Sequence, residues 1–325
     1  MKRLPVALAV LSLSACSAPL SYLDATSPIA GNIASLGWGL TLIAIGVCVV
    51  VAILLAIALM RRREPGDLDI APVNDRGPIR LIGVGVAVSV VVLLVSAIWT
   101  LVVAGTIGFP PTGDALTIDV TGHQWWWEVE YKSSTPSRTF VTANQLVIPV
   151  GTPVRLNLKS ADVIHSFWVP KLGGKMDMIP SHTNVTWLEA DKLGDYRGQC
   201  SEFCGLQHAN MAFNVRVVST ADFKTWWDQQ LQPAPTDNPG LRTFMTRCAA
   251  CHTIRGTAAG GILGPDLSHF GSRESIAAGL MANTPANLAA WINNAQTIKP
   301  GAKMPELHML AGETEDVANY LEGLK

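Results

Sequence analysis

The sequence carries almost no excess charge. Its 325 residues include 24 lysine and arginine residues against 25 aspartate and glutamate residues, which gives a formal net charge of -1. Proteins that bind nucleic acid or other polyanions need a surplus of basic side chains, so this balance argues against such partners. The chain also has no internal repeat and no long low-complexity run, and its length allows two or three folded units.

Charge is missing entirely from two long apolar segments, residues 36–60 and 81–104. Each is longer than the roughly 20 residues that cross a bilayer as a helix, so together they predict a transmembrane hairpin. Because neither segment contains an acidic or basic residue, a proton or ion path inside this chain is not expected. The connection contains five arginine residues, which predicts that it is cytoplasmic and that both termini lie outside.

The N-terminus is typical of an export signal. Lys2 and Arg3 precede an apolar run that ends in small residues just before Cys16. A cysteine at this point resembles a bacterial lipobox, in which Cys16 would become a lipidated N-terminus. The alternative is an ordinary signal peptide with an incidental cysteine.

The exported part begins with a pattern of short strands. Leu116, Ile118 and Val120 alternate with polar neighbours, as in a half-buried strand. Runs separated by turn residues follow at 146–150, 154–158, 163–169, 185–189 and 213–218, which together predict a sandwich or barrel. A helix is predicted over 220–230, then a proline-rich linker, then helices at 241–248, 286–294 and 313–324.

One loop of twelve residues concentrates side chains that bind soft metals. It contains Cys200, Glu202, Cys204, His208 and Met211. Two thiolates, an imidazole and a thioether favour copper, and two cysteines on one loop can bridge two metal ions. Each ion then needs an imidazole. His208 supplies one, and His165, in the middle of a strand-like run, is the candidate for the other.

Two simpler interpretations compete with a copper site. In an exported protein, Cys200 and Cys204 could form a disulfide. His165 alone could be a structural histidine with no metal to bind. His208 and Met211 on the same loop favour the metal site, because a disulfide needs neither of them.

The second chemical motif is Cys248-Ala-Ala-Cys251-His252, whose spacing attaches a c-type haem. The two thiols add to the haem vinyl groups, and His252 becomes an axial ligand of the iron. As a lone pattern it is shared with thioredoxin-like redox pairs, but an exported context favours the haem.

A methionine as sixth ligand would raise the haem potential. Met304 is the preferred candidate, since it lies late in a loop before the last predicted helix. Met281 and Met309 are the alternatives and are expected to pack in the core. His269 and His308 are expected on the surface.

The copper loop, His165, the segment Gly122-His-Gln-Trp-Trp-Trp127 and the segment Lys175-Met-Asp-Met-Ile-Pro180 together resemble subunit II of the haem–copper cytochrome c oxidases. The resemblance includes the two membrane helices and extends to about residue 230. It implies a cupredoxin-like barrel whose loop binds dinuclear copper A.

The resemblance also implies a role for each residue. Cys200 and Cys204 would bridge the two coppers, and His165 and His208 would be terminal ligands. Met211 would be a weak ligand to one copper, and the Glu202 carbonyl a ligand to the other. The Glu202 carboxylate would face a magnesium or manganese ion at the interface with subunit I. Trp125 would receive electrons from cytochrome c, whereas Trp127 is expected in the core.

The last domain resembles a class I cytochrome c. In Gly264-Pro265-Asp-Leu267, the Pro265 carbonyl would accept a hydrogen bond from the axial histidine and so tune the iron. A cytochrome c domain behind a copper A domain resembles oxidases with a fused cytochrome c. A flexible linker would hold the haem near copper at an effective concentration of about a millimolar.

The predicted fold class is a multidomain membrane protein with a two-helix transmembrane hairpin, a cupredoxin-like Greek-key β-barrel and an all-α cytochrome c domain. The expected boundaries are a signal peptide at 1–15, the hairpin at 16–112, the copper A domain at 113–232, a linker at 233–239 and the cytochrome c domain at 240–325. The expected location is the bacterial inner membrane, with the copper and haem domains on the periplasmic side.

The expected function is that of the electron-accepting subunit of a cytochrome c oxidase, with oxygen reduction in subunit I. The other expected partners are subunit III, membrane lipid, and an electron donor such as a cytochrome c or a quinol-oxidising complex. Alternatives are the corresponding subunit of a nitric oxide reductase with copper A, or a membrane-tethered carrier without an oxidase. Quinol oxidase subunit II is disfavoured, because it lacks the copper ligands that this chain has.

Overall fold

The computed structural model describes residues 18–60, 76–108 and 116–325. The predicted signal peptide, Cys16 and the arginines at 61–63 lie outside these residues. The chain divides into two compact units. One unit is Asn32–Gly108, and the other consists of Met1–Gly31 with Phe109–Lys325.

The first unit contains most of two long apolar helices, α1 (Pro28–Met60) and α2 (Arg76–Ile107). Both are long and apolar enough to cross a membrane, as predicted, and both extend beyond the apolar segments. Asn32 donates to the Thr106 hydroxyl at 3.4 Å. Gly39 faces the Trp99 indole so closely that a Cβ atom there would lie 2.2 Å from Cη2. The two helices therefore run antiparallel in contact, with glycine at the close approach.

The second unit begins with two five-stranded sheets. Their orders are β3-β2-β1-β5-β8 and β4-β10-β9-β6-β7. The strands are β1 (Leu116–His123), β2 (Trp126–Tyr131), β3 (Phe140–Ala143), β4 (Gln145–Pro149), β5 (Val154–Ser160), β6 (His165–Trp168), β7 (Met176–Met178), β8 (Asn184–Leu188), β9 (Gly194–Cys200) and β10 (Ala212–Val218). Pairing is parallel between β1 and β5 and between β4 and β10, and antiparallel elsewhere in these sheets. One core of inward-facing apolar residues joins the sheets.

An aromatic cluster closes one end of this core. Helix α3 (Thr220–Gln230) begins at Ser219, whose hydroxyl accepts from the Asp222 backbone N–H at 3.1 Å. Trp227 on this helix packs edge-on against Tyr131, which stacks on Phe140 at 4.8 Å between ring centroids. The predicted helix is confirmed, and its aromatic face is buried against the sheets.

The C-terminal domain is helical apart from a two-stranded hairpin, β11 (Ser275–Ile276) and β12 (Met281–Ala282). Its helices are α4 (Pro239–Arg247), α5 (Pro285–Asn293), α6 (Ala295–Ile298) and α7 (Ala311–Gly323). Phe244, Leu288, Val317 and Tyr320 form the centre of its core. Together with the apolar helices and the β-sheets, this domain confirms the predicted fold class.

The segment between the two domains is held rather than free. The Ala234 backbone N–H donates to the Arg255 carbonyl at 2.9 Å, and the Tyr320 hydroxyl donates to the Pro235 carbonyl at 3.2 Å. The expectation of a surface position for His269 is wrong. Its ring is 6% exposed and its nitrogens lie 3.2 Å from the carbonyls of Gln230 and Lys325. His308 is exposed, as predicted.

Tyr131 gives a test of the β-domain core. It is fully buried, and its hydroxyl donates to the Val147 carbonyl at 2.9 Å and accepts from the Val147 N–H at 2.7 Å. We expect Tyr131→Phe to lower the free energy of unfolding by about 1–3 kcal/mol, because two buried backbone groups lose their partner. Chemical unfolding of the full chain in detergent, followed by tryptophan fluorescence, measures this loss.

The matched control is Tyr196→Phe. Its hydroxyl bonds the Lys192 carbonyl at 2.8 Å, and Lys192 is exposed, so water can replace the lost partner. Equal losses in the two variants would contradict a special role for the buried Tyr131 bonds.

Candidate copper and haem sites

Three neighbouring strands bring the predicted copper ligands together. His165 begins β6, Cys200 ends β9, and Met211 immediately precedes β10. Phe167 of β6 pairs with Cys200, and Ala212 of β10 pairs with Gln199, one residue before that cysteine. The loop from β9 to β10 therefore folds over the start of β6. Residues that are 35 or more positions apart in the sequence meet at one end of the sheet.

The distances within this group are short. Cys200 Sγ lies 3.7 Å from Cys204 Sγ and 3.9 Å from His165 Nδ1. Cys204 Sγ lies 3.6 Å from His208 Nδ1 and 3.8 Å from Met211 Sδ. The two cysteines thus occupy the centre, with one imidazole beside each. All except His208 are buried.

The two cysteines are free thiols in this structure. Their sulfur atoms are much farther apart than the roughly 2.05 Å of a disulfide, so the disulfide alternative is not formed. The contact with Cys204 lowers the pKa of the Cys200 thiol well below its usual range. The same contact, together with burial, raises the pKa of the Cys204 thiol. The pair therefore carries a thiolate readily, and thiolate is the form that binds metal.

His165 is held by a carboxylate that the sequence analysis did not identify. Its Nε2 lies 2.8 Å from Asp162 Oδ1, and this leaves Nδ1 facing Cys200. Burial opposes a charge on His165, but its bonds to Cys200 and Asp162 outweigh burial and raise its pKa. A carboxylate behind a metal-binding imidazole is a common arrangement in metal sites. The acidic residue three positions before the histidine was the available signal.

Glu202 presents its backbone to the group and its side chain to solvent. Its carbonyl oxygen lies 3.3 Å from Cys200 Sγ, and its carboxylate is exposed. Within the described residues, the cluster of three metal-ligating side chains consists of His165, Cys200 and Cys204, with ligand atoms within 4.8 Å of one another. Glu202 does not belong to it, so a magnesium or manganese role for its carboxylate stays a prediction.

Trp125 is attached directly to the copper loop. Its indole Nε1 donates to the Cys204 carbonyl at 3.0 Å, and Gln124 Nε2 donates to the same carbonyl at 2.7 Å. The Trp125 ring lies close to Gly205 and to Gly301 of the C-terminal domain, where a Cβ atom would come within 3.1 Å and 3.5 Å of the ring, respectively. It is therefore half-buried between the two domains, whereas Trp127 is fully buried, as predicted.

The predicted haem site lies just after α4. Cys248 ends that helix, and the His252 Nδ1 lies 2.7 Å from the Pro265 carbonyl, as predicted. Burial lowers the pKa of His252, although the bond to Pro265 opposes this. A neutral imidazole that donates through Nδ1 leaves its Nε2 lone pair for iron. Cys248 and Cys251 are free thiols, as attachment to a haem requires.

The methionines of this domain differ in their surroundings. Met309 is buried in the core, and Met281 packs against it. Met304 is half-buried outside that cluster, on a loop where Gln296 Nε2 donates to the Ala302 and Met304 carbonyls at 2.6 Å. The core positions of the first two agree with their expected packing roles. Met304 as axial ligand stays a prediction.

The side chains present fit both groups. Two thiols in contact, an imidazole beside each, a thioether and a carbonyl make up the soft ligand set that suits a dinuclear copper centre. Two thiols and an imidazole with its Nδ1 already engaged suit a covalent haem.

Comparisons with known proteins agree with this geometry. The family description "Cytochrome C oxidase subunit II, periplasmic domain" matches residues 133–218, and "Cytochrome c" matches residues 238–325. Cytochrome c oxidase subunit 2 of Alkalihalophilus pseudofirmus is 36% identical over 291 residues, which cover 85% of this chain and 82% of that protein. The chain belongs to the cytochrome c oxidase subunit 2 family.

Two further proteins are similar to this chain. Cytochrome c oxidase subunit 2 of Bacillus subtilis is 33% identical over 248 residues, covering 70% of this chain and 68% of that protein. The solved periplasmic domain of subunit II of cytochrome oxidase from Bradyrhizobium japonicum is 36% identical, covers 38% of this chain and 96% of that chain, and has a TM-score of 0.35.

Family membership has direct consequences. The chain is a component of an oxidoreductase complex, with an electron-accepting role in an oxidase. The first matched region implies copper A and the second implies haem. With two apolar helices, it is a membrane protein with a periplasmic domain.

Two glycines make room for the histidines of the two sites. A Cβ atom at Gly122 would lie 2.8 Å from His165 Cδ2, and one at Gly264 would lie 2.6 Å from His252 Cε1. We expect Gly122→Ala to weaken copper binding about 10- to 100-fold while the haem attaches normally. The added methyl group would displace the His165 ring, and disturbing the residues that orient a metal-binding histidine typically costs that much metal affinity. Copper titration of the full chain measures it.

Gly264→Ala is the reciprocal variant, with an altered haem absorption spectrum and unchanged copper affinity expected. Gly260→Ala is the matched control, because a Cβ atom there meets nothing within 4 Å. If Gly122→Ala and the control bound copper equally, the close packing on His165 would not support the site.

Proposed function

We propose that this chain is the electron-accepting subunit of a cytochrome c oxidase, which passes electrons from its covalent haem c to dinuclear copper A and on to subunit I for oxygen reduction. The observation that carries the proposal is the position of Trp125. Its indole donates a hydrogen bond to the backbone carbonyl of Cys204, and its ring lies close to Gly301 of the haem domain. One aromatic side chain thus lies against both the copper loop and the haem domain within one chain.

The side chains of the copper loop, together with His165, would bind the copper ions and hold them in place. Cys200 and Cys204 would hold the copper ions with their thiolates and His165 and His208 with their imidazoles, and Met211 and the Glu202 carbonyl would complete the ligand set. Asp162 keeps the His165 ring in one orientation through Nε2. Burial of both cysteines keeps water from the thiolates, so little solvent has to reorganise when the charge changes.

The haem domain holds its group in a similar way. Cys248 and Cys251 would attach the haem covalently, His252, oriented by Pro265, would bind its iron, and Met304 would be the other protein ligand of the iron. When bound, haem c supplies a one-electron donor and copper A a one-electron acceptor. Trp125 is hydrogen-bonded to the Cys204 carbonyl and lies close to Gly301 of the haem domain, so it offers a short path from the haem domain to the copper loop, and Gly205 leaves room for its ring.

The proposal extends to the surroundings of the chain. The copper and haem domains face the periplasm from a bacterial inner membrane, with a lipid anchor at Cys16. Subunit I, subunit III and a cytochrome c or quinol-oxidising donor are the partners. The exposed Glu202 carboxylate binds magnesium or manganese at the contact with subunit I. Mass spectrometry of the N-terminal peptide tests the lipid, and metal analysis of Glu202→Gln in the complex tests the ion.

The decisive experiment measures copper and electron transfer in the same sample. We expect electron paramagnetic resonance of the purified full chain to show hyperfine structure shared by two copper nuclei. After rapid photoreduction of the haem, we expect the haem to reoxidise as the copper signal is lost. Cys200→Ser should abolish both results, because it removes a bridging thiolate.

Cys48→Ser is the matched control, since Cys48 is exposed on α1 and outside both sites. A copper-free protein with Cys200 joined to Cys204 in a disulfide, despite copper reconstitution, would overturn the proposal. Purification in mild detergent separates the alternatives. A stoichiometric haem–copper subunit with oxygen-reducing activity supports the oxidase, a nitric-oxide-reducing one supports the reductase, and a chain that purifies alone supports a tethered carrier.

A further inference from the structure

Lys299 is a buried lysine with no carboxylate partner among the described residues. It lies between α6 and the loop that carries Met304, and it is 2% exposed. Its Nζ donates to the carbonyls of Trp125 at 2.8 Å, Asn210 at 2.7 Å and Ala277 at 2.8 Å. Buried lysines are rare unless their charge is satisfied, so this arrangement calls for a reason.

The three carbonyls match an ammonium group. A charged lysine has three N–H donors and no acceptor, so three carbonyl oxygens use all of them. Trp125 and Asn210 belong to the copper domain, whereas Ala277 belongs to the haem domain. The amine therefore ties two segments of one domain to the other domain through backbone groups alone.

The positions of these carbonyls relate Lys299 to the copper loop. Asn210 lies between His208 and Met211, both predicted copper ligands, and Trp125 is the residue whose indole bonds Cys204. Ala277 is in the left-handed region at φ 55°, which is uncommon for alanine, and this turn aims its carbonyl at Nζ. The contact is thus made on the face of the loop that meets the haem domain.

Other contacts surround the lysine. Gln207 Nε2 donates to the Pro300 carbonyl at 2.8 Å, and the Ala212 N–H donates to the Ala278 carbonyl at 3.0 Å. Lys303, on the same loop as Lys299, pairs with Asp162 at 3.3 Å. That lysine is exposed, so solvent weakens its ion pair, whereas the Lys299 bonds are shielded from water.

We propose that Lys299 is a positioning residue that holds the haem domain on the copper loop in one orientation. Fast electron transfer within the chain then depends on this lock rather than on tethering alone. The statement about electron transfer rests on the proposed function, whereas the statement about the orientation of the haem domain does not. A chain with a covalent linker but no lock would sample many orientations, and only some of them would place the haem domain against Trp125.

Loss of the amine should favour separation of the domains. In Lys299→Met the carbonyls of Trp125 and Asn210 would stay buried without a donor while the domains are docked. Separation of the domains lets water bind these carbonyls, so the variant lowers the free energy of the separated state relative to the docked state. A buried carbonyl without a donor is costly enough that the ratio of docked to separated domains should fall about 10- to 100-fold.

The test uses the full oxidase complex and two readouts. Pulsed electron paramagnetic resonance gives the distribution of distances between the oxidised haem iron and copper A. Flash photoreduction gives the haem-to-copper transfer rate at several solvent viscosities. For the wild type we expect a narrow distance distribution and a rate independent of viscosity. For Lys299→Met we expect a broad distribution and a transfer rate about tenfold lower that falls further as viscosity rises.

Lys325→Met is the matched control, because it removes an exposed lysine of the same domain, and it should behave as the wild type. Haem and copper content and the copper spectrum establish that each variant is assembled. If Lys299→Met does not assemble, Lys299→Gln, which keeps two N–H donors, should give a smaller change in the same direction.

Each result decides one statement. A broad distribution in the wild type, or a narrow distribution and unchanged rate in an assembled Lys299 variant, overturns the lock and leaves the proposed function intact. A wild-type complex that binds both groups but shows no transfer overturns the proposed function. The distance distributions still decide whether Lys299 positions the domain.

Discussion

The copper site depends on the antiparallel pairing of β9 with β6 on one side and β10 on the other. This pairing places Cys200 opposite Phe167 and brings the start of β10 beside the end of β9. The ligand loop has only twelve residues, so once both of its ends are held by the sheet it has few ways to fold. The sheet itself therefore brings the thiols, imidazoles and thioether close together. Ligands held in this way by the fold move little when the charge of a metal changes.

The two predicted sites use one device to orient an imidazole. His165 has its Nε2 engaged by Asp162, and His252 has its Nδ1 engaged by Pro265. In each case one nitrogen is committed to the protein, so the other is available to the metal in a fixed direction. Glycines at 122 and 264 allow the rings to approach the backbone. The two partners differ in charge. The Asp162 carboxylate raises the donor strength of its histidine more than the Pro265 carbonyl does.

The contact between the domains changes how the fusion should be understood. Tethering raises the effective concentration of the haem domain but selects no orientation. In the structure the linker is bonded to both Arg255 and Tyr320, and Lys299 reaches three carbonyls across the contact. Backbone carbonyls are suitable partners, because their positions are set by the fold and not by rotamers. Orientation, which a flexible linker leaves open, is thereby specified by buried polar groups.

The sequence by itself determined the chemistry and most of the elements. Most of the chemistry is local, because Cys200 to Met211 span twelve residues and Cys248 to His252 span five, although His165 and Met304 lie outside these segments. Long apolar runs predict the two long helices. Strand β9 was not predicted, although it lies at the centre of its sheet, because its inward residues are Tyr196, Gly198 and Cys200 and show no apolar alternation. Gly198 is required there, since a Cβ atom would lie 2.2 Å from the Phe213 ring.

Only the tertiary structure decided which distant residues serve the sites. The sequence predicted a surface position for His269 and gave no role to Asp162 or Lys299. In the structure Asp162 bonds Gln124 and His165, His269 bonds Gln230, and Lys299 bonds Asn210 of the copper loop. The reason is physical. Hydrophobic periodicity reports which face of an element is buried, but a buried polar side chain is tolerated only where specific donors and acceptors meet it. Those partners come from strand order and domain packing, which local sequence does not encode.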